Sequence, residues 1–318
     1  MDPTPAIVAK GLKKFFKEIK AVDGVDFSIH QGEIFSLLGP NGAGKSTTIN
    51  LITGLFPPQS GDAEILGHSI TKQPLQAKKH FGIVPQEVAL YEDLSARENL
   101  MFWGRMADLS GQDLRVRVDE VLELIGLSER QNGKVSKFSG GMKRRVNIGA
   151  ALLHNPDVII LDEPTVGIDP QSRRHILDNV LRLNAEGMTV LYTTHYMEEA
   201  QELSDRIAIM DSGKIIASGT HDELVTLVGQ HTRLELSVTN PDDELISDWK
   251  EIEGVSQVTS MGEGQMLLLV DDSNKVLPRL FEQINGGNHR ITSIEIMEPN
   301  LEAVFLHLTG RALRDSEG

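Results

Sequence analysis

Along residues 1–230, short apolar runs alternate with stretches whose apolar positions recur at helical spacing. Val25–Ile29, Ile34–Leu38, Phe81–Val84, Val158–Leu161 and Thr189–Tyr192 are the clearest strands. This alternation predicts an α/β domain with a mostly parallel sheet. Between Glu87 and Pro156 the strand signal stops. Ala96–Met106 and Leu114–Ile125 instead carry Leu, Val and Ile three and four residues apart, and Ser95 with Glu98 forms a capping box that opens the first of them. A helical subdomain, about residues 87–156, is therefore expected as an insertion in the α/β core.

Past Gly229 the pattern changes. Thr232–Val238, Val255–Ser260, Met266–Val270 and Arg290–Ile296 read as strands, and Asp242–Ile252 and Lys275–Ile284 as helices. The order β-α-β-β-α-β is that of a small ferredoxin-like α+β domain, expected over 231–310. Leu301–Leu308 reads as a last helix, with Leu301, Val304, Phe305 and Leu308 as its buried stripe. The tail 311–318 is expected to be loose.

Chemistry enters at Gly39, Pro40, Asn41, Gly42, Ala43, Gly44, Lys45, Ser46 and Thr47, which fit the phosphate-loop pattern G-x-x-x-x-G-K-[ST]. Gly42 and Gly44 can take backbone angles closed to other residues, so successive N–H groups can form a cup for a β-phosphate. Lys45 reaches the β- and γ-phosphates, and the Ser46 hydroxyl is placed to ligate Mg²⁺. The strand Ile34–Leu38 leads in, and a helix over Thr47–Leu55 leads out with its N-terminus facing the anion. A nucleoside triphosphate is the expected ligand.

A second acidic feature follows. Val158–Leu161 is an unbroken apolar strand ending at Asp162, Glu163 and Pro164. Ligands bind beyond the carboxyl ends of such strands. Asp162 is expected to hold Mg²⁺, and Glu163 to polarise an attacking water.

Bulk properties narrow the partners. The 318-residue chain carries a formal net charge of −15, which disfavours nonspecific nucleic-acid binding and attraction to anionic lipid. It has no cysteine, which excludes disulfides and thiolate chemistry. No apolar run approaches the roughly 18 residues of a membrane span. Met1-Asp2-Pro3-Thr4-Pro5 lacks the features of a signal peptide, so a cytoplasmic chain is expected, held at a membrane only by a protein partner.

Ser139, Gly140 and Gly141, preceded by Phe138 and followed by Met142-Lys143-Arg144-Arg145, open a helix with a hydroxyl and two flexible amides at its N-terminus. That is a second anion-binding helix end on one chain. The set of motifs resembles the ATP-binding cassette family. In that family two cassettes face head to tail, and each ATP lies between the phosphate loop of one and the Ser-Gly-Gly segment of the other. The resemblance assigns Phe16, or its neighbour Phe15, to stacking on adenine. It assigns Gln86 to sensing Mg²⁺ and linking core to helical subdomain, Asp169 to the turn that crosses the dimer interface, and His195 to the γ-phosphate. Met142 departs from the commoner Gln, and a thioether cannot donate the hydrogen bond of an amide.

The ending from Glu298 to Gly310 resembles ATPase subunits of the daunorubicin-resistance type, single cassettes paired with separate membrane subunits. The resemblance implies a P-loop ATPase that powers export through a separate integral membrane permease, from the cytoplasmic face. Its partners would be a second copy of the cassette and that permease, with ATP and Mg²⁺ as ligands and no nucleic acid. The alternative is a soluble cassette ATPase that remodels macromolecules. The transported substrate is selected by the permease and is not written in this chain.

Overall fold

The structure is a computed structural model and describes residues 5–227, 232–262, 264–284, 289–297 and 300–309. The expected tail 311–318 lies outside these residues. Two compact units divide between His221 and Asp222.

The first unit begins with β1 (Pro5–Phe16), β2 (Ile19–His30), β3 (Ile34–Leu38) and α1 (Lys45–Ile52). Then come β4 (Ser60–Ile65), β5 (His68–Ser69), α2 (Pro74–Ala77) and β6 (Phe81–Val84). Helices α3 (Ala96–Met106), α4 (Gly111–Leu124) and α5 (Gly140–Leu152) follow without an intervening strand. The core resumes with β7 (Val158–Asp162), α6 (Pro170–Ala185), β8 (Thr189–Thr194), α7 (Met197–Leu203), β9 (Arg206–Asp211) and β10 (Lys214–Gly219).

Six strands form one sheet in the order β10-β9-β3-β8-β7-β6. β3 is parallel to both neighbours, β8 and β9, while β10 pairs antiparallel at the edge. All residues of β3 and β7 are buried, as strands covered on both faces must be. The carboxyl ends of β3, β7 and β8 release the phosphate loop, the Asp162–Glu163 pair and His195.

A second, antiparallel sheet, β2-β1-β4-β5, goes beyond the expected parallel architecture. The strand read at Val25–Ile29 belongs to it. Its partner β1 escaped the pattern because one face is polar and the pairing register shifts between Ala9 and Leu12, which breaks strict alternation. Two apolar cores result. Ile7, Val25, Ala63, Ile49, Ile52 and Leu37 fill the layer between the two sheets, with α1 inside it. Leu100, Val118, Val121, Val146, Leu161 and Ile176 join the helical insertion to the other face of the parallel sheet.

The second unit holds α8 (His221–Thr226), of which all but His221 falls on this side of the division. Next come β11 (Thr232–Thr239), α9 (Asp243–Lys250), β12 (Val255–Gly262), β13 (Gln265–Val270), α10 (Ser273–Ile284), β14 (Arg290–Met297) and α11 (Leu301–Thr309). Its sheet runs β12-β13-β11-β14, fully antiparallel, the expected ferredoxin-like arrangement. Leu234, Leu268, Trp249 and Leu280 lie in its core. In α11, Leu301, Val304 and Phe305 are buried as expected, whereas Leu308, in the last turn, is exposed.

Candidate functional site

The phosphate loop leaves β3 at Gly39 and turns through Gly42 and Gly44, whose φ values of 81° and 108° lie in the left-handed region. Gly44 also needs its missing side chain, since a Cβ there would stand 2.3 Å from the Ala21 carbonyl oxygen. Gly44 caps α1 without a side-chain hydrogen bond. The first-turn amides of α1 are thus left to an anion. The helix starts at Lys45, two residues ahead of the expected Thr47, and ends at Ile52.

Lys45 is 4% exposed. Its Nζ donates to the carbonyls of Gly39 at 2.7 Å and Pro40 at 3.1 Å, and pairs with Glu163 Oε1 at 2.9 Å. Glu163 Oε2 accepts from Gln86 Nε2 at 3.3 Å and lies 3.5 Å from His195 Nδ1. Ser46 Oγ donates to Asp162 Oδ1 at 3.2 Å. A cavity of about 690 Å³ opens over this cluster, lined by the phosphate loop, Gln86, Glu163, Ser212 and the Glu18–Ala21 segment.

The two adjacent acids are driven apart electrostatically. Burial raises the Glu163 pKa, but the His195 hydrogen bond and the Lys45 charge outweigh it and bring the group down to about 2. Burial also acts on Asp162, and there it prevails over hydrogen bonds from Thr193 and Ser46, so that pKa is raised. Glu163 sits at φ 45°, a left-handed angle rare outside glycine. Its amide is held there by Thr193, donating to Oγ1 at 3.0 Å and to the carbonyl at 3.2 Å.

Thr193 was not singled out from the sequence. It donates to Asp162 Oδ1 at 2.7 Å and so orients both acids. The available signal was a hydroxyl at the end of a buried apolar strand. Nearby, the buried Glu199 accepts from Tyr192 Oη and Thr194 Oγ1, both at 2.9 Å, and pairs with Arg173 Nε at 3.5 Å. The Arg173 guanidinium stacks on Tyr196, whose ring is 4.2 Å from that of His195. This network ties the helix after Asp169 to the His195 loop.

Other expected site residues form a separate constellation. Ser139 caps α5, its Oγ accepting from the Met142 amide at 3.2 Å. Asp169 caps α6, its Oδ1 accepting from the Ser172 amide at 2.9 Å, a bond that lowers its pKa. The two turns pack directly: a Cβ on Gly141 would stand 2.1 Å from Ser172 Oγ, and one on Gly140 3.4 Å from Ile168 Cδ1. Neither Ser139–Gly141 nor Asp169 lines the cavity over Lys45. Phe16 is half-exposed at the end of β1 and packs edge-on against Phe56 at 6.0 Å. The apolar side chain that lines the cavity at that end is Ile19 of β2, 70% exposed.

A phosphate-binding loop, an acidic pair at the end of the adjacent strand and a second capped anion-binding turn on an inserted helical subdomain define an ATP-binding cassette ATPase, and the chain belongs to the ABC transporter ATP-binding proteins. Residues 22–166 match the family described as ABC transporter. Residues 219–309 match that described as ATP-binding protein DrrA1-3-like, C-terminal domain. A linearmycin resistance ATP-binding protein of Bacillus subtilis is 48% identical, covering 96% of this chain and 99% of its own. A daunorubicin/doxorubicin resistance ATP-binding protein of Streptomyces peucetius is 35% identical over 99% of this chain and 95% of its own. A Nod factor export ATP-binding protein I of Paraburkholderia xenovorans is 37% identical over 98% and 100%. Among solved structures, an ATP-binding subunit of an ABC transporter matches 70% of this chain and 93% of its own at TM-score 0.64 and 32% identity. A dimeric bacterial ABC transporter cassette matches 67% and 98% at TM-score 0.62 and 31% identity.

Proposed function

We propose that this ATPase powers export through a separate integral membrane permease, working as a head-to-tail pair that encloses two ATP molecules. The observation that carries the pairing is the separation within one chain: the Ser139 turn stands outside the cavity that holds Lys45 and Glu163. A second copy would bring its own Ser139, Gly140 and Gly141 to that cavity, and its Asp169 turn to the same interface. Support for export comes from relatives named for antibiotic resistance and Nod factor export. These names favour export over the remodelling alternative.

Each residue then has a task. The Gly42–Ser46 amides and Lys45 hold the β- and γ-phosphates; Phe16 and Ile19 offer apolar surface to the base. Ser46, Asp162 and Gln86 present hard oxygen donors, which suit Mg²⁺, a cation that also takes phosphate oxygens as ligands. Among the described residues no cluster of three or more His, Asp or Glu could hold a metal, which fits a cation bound jointly with the nucleotide. Mg²⁺ would neutralise charge on the phosphates. Glu163, ionised at neutral pH, accepts a proton from the attacking water, and His195 sits beside it to contact the γ-phosphate. Transfer is in line, so positioning and electrostatics do most of the work.

Among the described residues no helix is long and apolar enough to cross a membrane, so the chain would reach the cytoplasmic face of the membrane through its permease. Detergent extraction tests this. The tagged chain should copurify with an integral membrane protein, and its recovery without one from solubilised membranes would contradict the export role.

A further inference from the structure

The segment Met142-Lys143-Arg144-Arg145 places a guanidinium where few proteins keep one: Arg144 is 4% exposed, in the second turn of α5. Its Nη1 donates to the Pro85 carbonyl at 2.6 Å and its Nη2 to the Gln86 carbonyl. Burial lowers its pKa, against the favourable charge of Asp162. Both Nη groups are used while the buried Nε has no hydrogen-bond partner among the described residues, and a guanidinium is a rigid planar fork that fixes the direction of two acceptors at once. Here the acceptors are successive carbonyls of one loop. The Gln86 side chain from that loop reaches Glu163, which pairs with Lys45. One continuous run of polar contacts therefore leads from the phosphate loop to the helix that Ser139 caps.

We infer that Arg144 is a positioning residue that locks the Ser139–Gly141 turn to Gln86, so that nucleotide held in a chain's own cavity sets the orientation of the turn offered to the partner chain. Lysine cannot replace it fully, because an ammonium lacks the fork. The inference rests on the paired reading above.

The test uses the full chain carrying Glu163→Gln, to suppress turnover, with and without Arg144→Gln or Arg144→Lys. Two quantities are measured: binding of a fluorescent ADP analogue, which reports the Lys45 cradle, and ATP-driven association by sedimentation. With Arg144→Gln the ADP analogue should bind within about twofold of the parent while association weakens at least about tenfold, the scale of an ordinary coupling between sites. Arg144→Lys should fall between. Association equal to the parent's would overturn the proposal. So would a parallel loss of ADP binding and association, which marks Arg144 as merely structural. A parent chain that binds the analogue but never associates refutes the paired reading itself, and this inference with it.

Discussion

Lys45 and Glu163 each solve the other's burial. Both are about 4% exposed, and neither charge would be tolerated there alone. In the proposed ATP site a phosphate at the loop would share the Lys45 charge and so loosen its hold on Glu163. The folded pKa of about 2 lies below the ordinary 4.5. The stability that His195 and Lys45 together confer by holding Glu163 ionised is therefore complete above about pH 4.5 and lost as pH falls toward about 2, worth roughly 3 kcal/mol by linkage. Denaturant unfolding of wild type and Glu163→Gln should differ at neutral pH, and the difference should shrink as pH falls through 4.5 and close only near about pH 2. A gap that persists in acid would mean that the ionisation of Glu163 is not the source. If Glu163 accepts the proton, Glu163→Gln should also slow ATP hydrolysis by roughly 10²–10⁴ while nucleotide binding is retained. Near-normal turnover in a steady-state phosphate-release assay would remove Glu163 from that role.

At the scale of elements, the residues proposed to act on ATP cluster where helices begin. Gly44, Ser139 and Asp169 start α1, α5 and α6, and the last two starts touch. Gly141 is needed there for space, not only for a free amide: a Cβ would stand 2.2 Å from Ser172 Cβ, which rotation of the serine cannot relieve. Gly141→Ala should cost about 1–3 kcal/mol, the range of overpacking. Adding Ser172→Gly should recover most of it in thermal melts; no recovery would place the strain elsewhere. Motifs of this kind are legible in sequence because each carries unusual residue types at fixed spacing, as Gly42 and Gly44 do. β3 and β7 were legible for a different reason, being unbroken apolar runs. β1 was not, since a register shift near Gly11 hides its alternation. Thr193, Arg144 and Glu199 were hidden too, because their importance comes from partners brought near only by folding: Asp162, Gln86 and Arg173.

For the whole molecule, the two units differ in what they carry. The first carries every residue assigned to ATP. The second is a ferredoxin-like domain matched to the C-terminal domain of resistance-type ATP-binding proteins. Within the first unit the Ser139 turn lies outside the cavity over Lys45, and in the proposed pairing a second chain would bring the two together. Ser139→Arg should leave binding at the phosphate loop unchanged and abolish ATP-driven association. Association that survives this change, read by light scattering, would exclude the Ser139 turn from the interface.

The most direct measurement is the mass of the Glu163→Gln chain in solution with and without Mg²⁺ and ATP, by sedimentation equilibrium. Pairing around ATP predicts one chain of 35.0 kDa without nucleotide and a species of twice that mass at saturating ATP. A mass that stays at 35.0 kDa with ATP bound would contradict it.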